Sequence, residues 1–286
     1  MILSIQSHVA FGRVGNRAAV FPLELLGHDV VAVNTVQFSN HTGYGSWRGT
    51  VFGADHIREV IRGVDEAGAL GVDAVLSGYM GDTGTGRVIL ETVDRVRAIR
   101  PDSLYCLDPV MGDSVQGFFV RAGIPELIRD EALPRATIVK PNHFEAEFLS
   151  GMKIGSLADA KKAGESIRSR GPAIVLITSF MAASASDTIS MYLSTDAGDW
   201  IITTDRLSLK PEPNGGGDLS AALFLGRYLL SGTADRRDAR RALEQTANSV
   251  YAVYDRTRAA GTRELALVAS RFDIMNPPNR YLAEPV

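Results

Sequence analysis

The sequence predicts an α/β fold with a mostly parallel central sheet, helices on both faces and antiparallel edge strands. Three observations carry that expectation. Short, continuously apolar runs recur along the chain, longer segments of helical periodicity separate them, and one pair of runs is joined too tightly for a helical crossover. The apolar runs lie at residues 2–5, 29–33, 73–78, 103–108, 137–142 and 173–179, and unbroken hydrophobicity of this length suits strands covered on both faces. Residues 16–26 stop at Gly27, the position where a helix ends on glycine, while 84–99 and 156–170 repeat apolar residues every three or four positions. Residues 188–194 and 199–204 are separated only by 195–198, which predicts a hairpin and hence antiparallel strands at the sheet edge. The chain then returns to helix at 218–231 and 235–258 before a Pro-containing tail, 275–286, expected to be loosely held.

No repeat, low-complexity tract or linker divides the 286 residues, so one domain over 1–286 is expected. With 45% hydrophobic and 22% charged residues the composition is that of an ordinary globular protein able to bury a large core. Lys and Arg number 30 against 33 Asp and Glu, a net charge of −3 that argues against a nucleic-acid partner. A single cysteine, Cys106, excludes an intrachain disulfide and a four-thiolate zinc site. No basic-then-apolar leader and no long apolar span occur, so a cytoplasmic protein without a membrane role is expected, and the glycosylation pattern at Asn40-His41-Thr42 is discounted.

Parallel sheets of this kind bind ligands beyond the carboxyl ends of their strands, so the polar residues after each run share one rim. The strongest local signal is Gly215-Gly216-Gly217-Asp218 opening into an apolar helix. Glycines let backbone N–H groups approach phosphate oxygens, and a carboxylate among them can accept a proton from an attacking hydroxyl. The competing reading is a plain loop with Asp218 as the helix N-cap. Asp108 and Asp113 flank one turn after a strand and offer oxygen ligands to magnesium. Asn142 and Glu145 meet on one helical turn, either as further site residues or simply as a cap. The segment 37–45 combines aromatic, hydroxyl and amide groups suited to a flat heteroaromatic ligand, with a hairpin or dimer contact as the alternative. His8, His41 and His143 lack metal-ligand spacing and read as polar contacts. A Walker-type loop, a Gly-x-Ser-x-Gly elbow and dinucleotide glycine spacing are absent.

Taken in order, residues 6–45 with their QFSNHTGYG ending, SGY at 77–79, LDPVMGD at 107–113, KPNHFEAEFLSG at 140–151, ITS at 177–179 and GGGD at 215–218 closely resemble the pyridoxal kinases of the ribokinase-like superfamily. The resemblance runs from about Ser4 to about Gly226. It implies a ribokinase-like fold and transfer of the ATP γ-phosphoryl group to the 5′-hydroxymethyl of pyridoxal, with pyridoxine and pyridoxamine as related substrates. On the matching positions it implies Asp218 as base, Gly215, Gly216 and Gly217 as anion hole, and Ser7, Thr42, Gly43 and Tyr79 around the pyridine ring. Asp113 and Glu145 match magnesium-associated carboxylates, and Asp108 and Thr178 match positions beside a monovalent cation such as potassium. Asn142, Thr178, Ser179 and Leu209 match the nucleotide side, and a homodimer is implied as well.

Two departures stand out. The family's glycine-Thr-glycine-Asp becomes Gly215-Gly216-Gly217-Asp218, and Lys140 replaces a small residue beside the cation and nucleotide site. Either the Lys140 ammonium takes over from potassium or reaches an ATP phosphate, or the side chain points to solvent. Hydroxymethylpyrimidine kinase, a sugar kinase of the same superfamily and a non-catalytic pyridoxal phosphate-binding module are the competing readings. QFSNHTGYG argues against the first, the lack of a longer N-terminal glycine-rich sugar motif against the second, and the intact Asp218 with its metal-side carboxylates against the third.

Overall fold

A computed structural model describes residues 1–180, 187–232 and 237–286. The elements are β1 (Ile2–Val9), α1 (Asn16–Leu25), β2 (Val30–Phe38), β3 (Gly49–Val51), α2 (Ala54–Glu66), β4 (Ala74–Ser77), α3 (Thr83–Ile99) and β5 (Leu104–Leu107). Next come the two-residue strands β6 (Gly112–Asp113) and β7 (Gly117–Phe118), then α4 (Ile124–Leu127), β8 (Ile138–Val139), α5 (His143–Ser150), α6 (Leu157–Arg168) and β9 (Ile174–Phe180). The chain finishes with β10 (Thr188–Thr195), β11 (Gly198–Asp205), α7 (Gly216–Leu230), α8 (Ala239–Ala260), α9 (Arg271–Met275) and β12 (Glu284–Pro285).

Ten strands form one sheet in the order β12-β11-β10-β9-β8-β5-β4-β1-β2-β3. Strands β2, β1, β4, β5, β8 and β9 are mutually parallel, and antiparallel strands complete both edges. The alternation of side chains along each strand feeds two apolar layers. Leu3, Ile5, Val75 and Leu107 pack against α2, α3, α5 and α6, while Ile2, Ala74, Leu76 and Cys106 pack against α1, α7 and α8. Both faces are therefore covered, which is why the runs show no polar alternation.

Strand β8 is shorter than the apolar run at 137–142 because Pro141 has no N–H for the ladder. Pairing resumes in isolated form where Thr178 N–H donates to Pro141 O and Asn142 bridges Thr178. The tail departs from expectation: it is held, not loose. Asn248 accepts the N–H groups of Arg280 and Tyr281 and donates to Tyr281 O, and the Tyr281 hydroxyl donates to Asp205. Strand β12 then pairs with Trp200 and Ile201 of β11. Partners far away in sequence hold it, and local composition carries no trace of them. The expected helix start at 235–236 lies outside the described residues; α8 is described from Ala239.

Candidate active site

The glycine run is built by close approaches. Gly215 has φ 91°, and a Cβ there would lie 1.8 Å from the carbonyl oxygen of Arg13, so only glycine fits. Helix α7 starts at Gly216, two residues before the expected start, and its first intrahelical bond is Leu219 N–H to Gly215 O. The N–H groups of Gly216, Gly217 and Asp218 thus belong to the first turn, where no carbonyl of the helix can accept them. Asp218 sits inside this turn and Gly215 is the N-cap, so the expectation of Asp218 as a mere N-cap is overturned. A Cβ on Gly216 would meet the Tyr254 hydroxyl at 2.1 Å. That phenol, from α8, fills the space a larger residue at 216 would take; no local pattern in the sequence pairs the two positions.

Lys140 turns inward. It is 2% exposed, its Nζ lies 3.0 Å from Asp108 Oδ1, and a Cβ on Gly217 would come within 3.3 Å of it. The solvent-pointing reading is therefore wrong: Pro141 and the β8 backbone turn position 140 into the sheet's carboxyl end beside Asp108 after β5. Burial by itself lowers the Lys140 pKa, but Asp108, Glu145 and Asp218 outweigh it, and the pKa rises. Burial raises the Asp108 carboxyl, with Lys140 opposing. The 3.0 Å contact makes each the counter-group of the other. Burial, then Asp108, raise the half-buried Asp218 carboxyl to about 6, against a Gly15 N–H, Lys140 and its own N–H.

Asn142 and Glu145 form a capping box on α5: Asn142 Oδ1 accepts Glu145 N–H at 2.9 Å and Glu145 Oε2 accepts Asn142 N–H at 2.8 Å. The capping reading is thus correct, and the same residues do more. Glu145 Oε1 accepts Met111 N–H, and Asn142 Nδ2 donates to Gly112 O, locking the 108–113 turn against α5. Burial and Asp108 push Glu145 up to about 8, opposed by Lys140 and by the backbone N–H groups of Asn142 and Met111. One Asp113 oxygen accepts the N–H groups of Val115 and Gln116.

These groups meet at one cavity of about 850 Å³, a size suited to two small ligands. Ser7, Thr42 and Tyr79 line it beside β1, β2 and β4, Asn142, Thr178 and Ser179 line it farther along the sheet beside β8 and β9, and Leu209, Asp108, Asp113, Lys140, Glu145, Gly215–Gly217 and Asp218 line it as well. Gly43 is the expected residue that does not line it: its N–H is turned to His41 Nδ1 and its carbonyl to Arg263, so it shapes the rim. Ser179 has φ 57°, the one non-glycine residue described with positive φ, a strained backbone at the cavity wall. Of the three histidines singled out, only His41 lines the cavity. No cluster of three or more His, Cys, Asp or Glu arranged to hold a metal occurs among the described residues. A carboxylate-plus-phosphate site still fits: Asp108 Oδ2 is buried without a hydrogen-bond partner, and one ammonium faces three carboxylates.

A covered parallel sheet whose carboxyl end holds a glycine-bounded helix start, an inward carboxylate and a cavity lined by both defines a ribokinase-like small-molecule kinase. The phosphomethylpyrimidine kinase family model matches residues 24–261. The pyridoxal kinase PdxY of Rubrobacter xylanophilus is 51% identical over 283 residues, covering 98% of this chain and 95% of that one. That of Granulibacter bethesdensis is 48% identical, covering 99% of each. The pyridoxal kinase of Leishmania donovani in complex with ADP and ginkgotoxin superposes with a TM-score of 0.91 at 30% identity, covering 100% of this chain and 99% of that one. The chain belongs to the pyridoxal kinase family and is an ATP-dependent vitamin B6 kinase.

Proposed function

We propose that this chain phosphorylates the 5′-hydroxymethyl of pyridoxal through Asp218. The observation carrying the reading is the position of that carboxylate among the first-turn N–H groups of α7, on the wall of the cavity. The substrate oxygen attacks the γ-phosphorus, the bond to the β–γ bridging oxygen breaks, ADP departs, and Asp218 takes the hydroxyl proton. The N–H groups of the glycine run hold the charge on the moving phosphoryl. Ser7, Thr42 and Tyr79 hold the ring, and Asn142, Thr178, Ser179 and Leu209 hold the nucleotide. Asp108, Asp113 and Glu145 would hold magnesium, directly or through water, and the ion supplies positive charge to the phosphate oxygens. The reading also includes one domain over 1–286, supported by a single sheet with strands from Ile2 to Pro285. A homodimer rests on the family resemblance alone, and a cytoplasmic location on the cysteine count and hydropathy of the sequence.

ADP release with magnesium-ATP, measured for pyridoxal, pyridoxine, pyridoxamine and hydroxymethylpyrimidine, tests the reading. Turnover on pyridoxal is expected; turnover on hydroxymethylpyrimidine alone, or pyridoxal phosphate binding without turnover, overturns it. The acid limb follows from Asp218. A base works deprotonated, and its pKa is raised to about 6, so kcat/KM should fall about tenfold per pH unit below that value and level off above it. A pH profile flat from 7 to about 5 would contradict the assignment.

Lys140 takes the place of a monovalent cation in this reading, supported by its burial against Asp108. The rate should then change little when potassium replaces a bulky organic cation. A strong potassium requirement in the unaltered enzyme would remove the substitution from the account.

A further inference from the structure

Two loops shape the substrate end of the cavity: residues 10–15 between β1 and α1, which supply Val14, and residues 39–45 after β2, which supply His41 and Thr42. Both are tied to one short segment more than 200 residues away in sequence. Glu264 Oε1 accepts the Tyr44 hydroxyl at 2.6 Å, and its Oε2 accepts the Arg13 N–H at 2.7 Å. Beside it, Arg263 donates to Gly43 O at 2.6 Å and lays its guanidinium over the Tyr44 ring at 3.8 Å. Phe11 meets the same ring edge-on, at 6.1 Å between centroids. The segment is itself firmly seated. Leu265 is buried with Leu219, Leu223 and Val253 of α7 and α8, and Ala266 N–H donates to the Thr257 hydroxyl. None of Arg263, Glu264 and Leu265 lines the cavity.

We propose that Glu264, assisted by Arg263, is a positioning residue for pyridoxal: its carboxylate clamps both substrate-side loops to the end of α8. The inference rests on the assignment of Ser7, Thr42 and Tyr79 to the pyridoxal end. A single carboxylate that accepts one donor from each loop sets their separation, and both donors need its charge, because charge-assisted bonds are the strong ones. Arg13 also carries the carbonyl that packs on Gly215, so the clamp's second oxygen bears on the loop touching the glycine run. Thr42 itself is exposed at the cavity mouth, and the 2.6 Å bonds to Gly43 O and from the Tyr44 hydroxyl hold the residues that follow it. A loop so exposed needs an outside anchor to present a fixed geometry to a small ligand, since ordering it on binding would weaken affinity.

Steady-state kinetics of Glu264→Ala, Glu264→Gln, Tyr44→Phe and Thr42→Val, with both substrates varied, test the clamp. Glu264→Ala should raise KM for pyridoxal about tenfold, the effect of losing bonds to a charged group, with KM for ATP changed by less than about twofold. Glu264→Gln, which keeps the size and one acceptor oxygen, should lie between. Tyr44→Phe, which removes one hydroxyl and no packing, should raise KM for pyridoxal severalfold. Equal rises in both KM values, or an unchanged KM for pyridoxal in both Tyr44→Phe and Glu264→Ala, would overturn the clamp. If Thr42→Val raises that KM while the Glu264 and Tyr44 variants do not, the clamp falls and the substrate assignment stands. If none of the four raises it, the assignment of the 39–45 loop to pyridoxal falls, and the clamp with it.

Discussion

Asp218→Asn is expected to lower kcat by about 100-fold or more while pyridoxal and ATP still bind. The asparagine keeps the size and one oxygen for the Gly15 N–H that Asp218 now accepts, so the start of α7 should remain in place. What it cannot do is take the hydroxyl proton. The remaining rate comes from alignment and from the N–H groups of Gly216, Gly217 and Asn at 218, which the substitution leaves untouched. Two readouts separate this from a folding defect: thermal stability close to that of the unaltered chain, and loss of the acid limb near pH 6. Retention of full turnover would mean that another group accepts the proton.

Lys140→Met should have the largest effect on stability. Lys140 and Asp108 are both 2% exposed, so removing the ammonium leaves a buried carboxylate facing Glu145 and Asp218 without its counter-charge. Breaking a buried pair from one side costs about 3–5 kcal/mol, a fall in Tm on the order of 10 °C for a chain of this size. Turnover should fall too, since the same ammonium offsets negative charge beside the glycine run. The double variant Lys140→Met with Asp108→Asn separates the two roles. Removing both charges relieves the desolvation penalty, so most of the Tm should return, but turnover should not. Thermal melts and ADP release on the same preparations check both halves. A double variant that recovers activity with stability would make the pair a structural feature only.

Much of the fold is legible in the sequence because the parallel strands are buried on both faces. Ile2–Ile5 and Ile174–Ser179 need no partner information to read as strands. Strands β3 and β12 are not legible, since Gly49, Thr50, Glu284 and Pro285 are exposed and carry no apolar run. Their pairing is set by β2 and β11. The site divides in the same way. Asp218 and its glycines stand together in sequence, so local spacing suffices. The direction of Lys140 depends on β8 lying beside β5, and Tyr254 and Glu264 reach their partners only through the packing of α8 on α7. Composition holds no trace of contacts across such distances.

The pairing of β12 with β11 also bears on how copies of the chain treat one another. Among the described strands, β11 would otherwise be the last of the sheet on that side, and Trp200 and Ile201 would offer open backbone groups to any extended peptide. Residues 284–285 occupy that register, and the Asn248 and Asp205 contacts keep them there. The C-terminal segment thus serves as an edge guard against chain-to-chain strand addition. Substitutions at Asn248, which does not itself line the cavity, would then be felt first as self-association at high concentration, with catalysis by the remaining monodisperse enzyme intact.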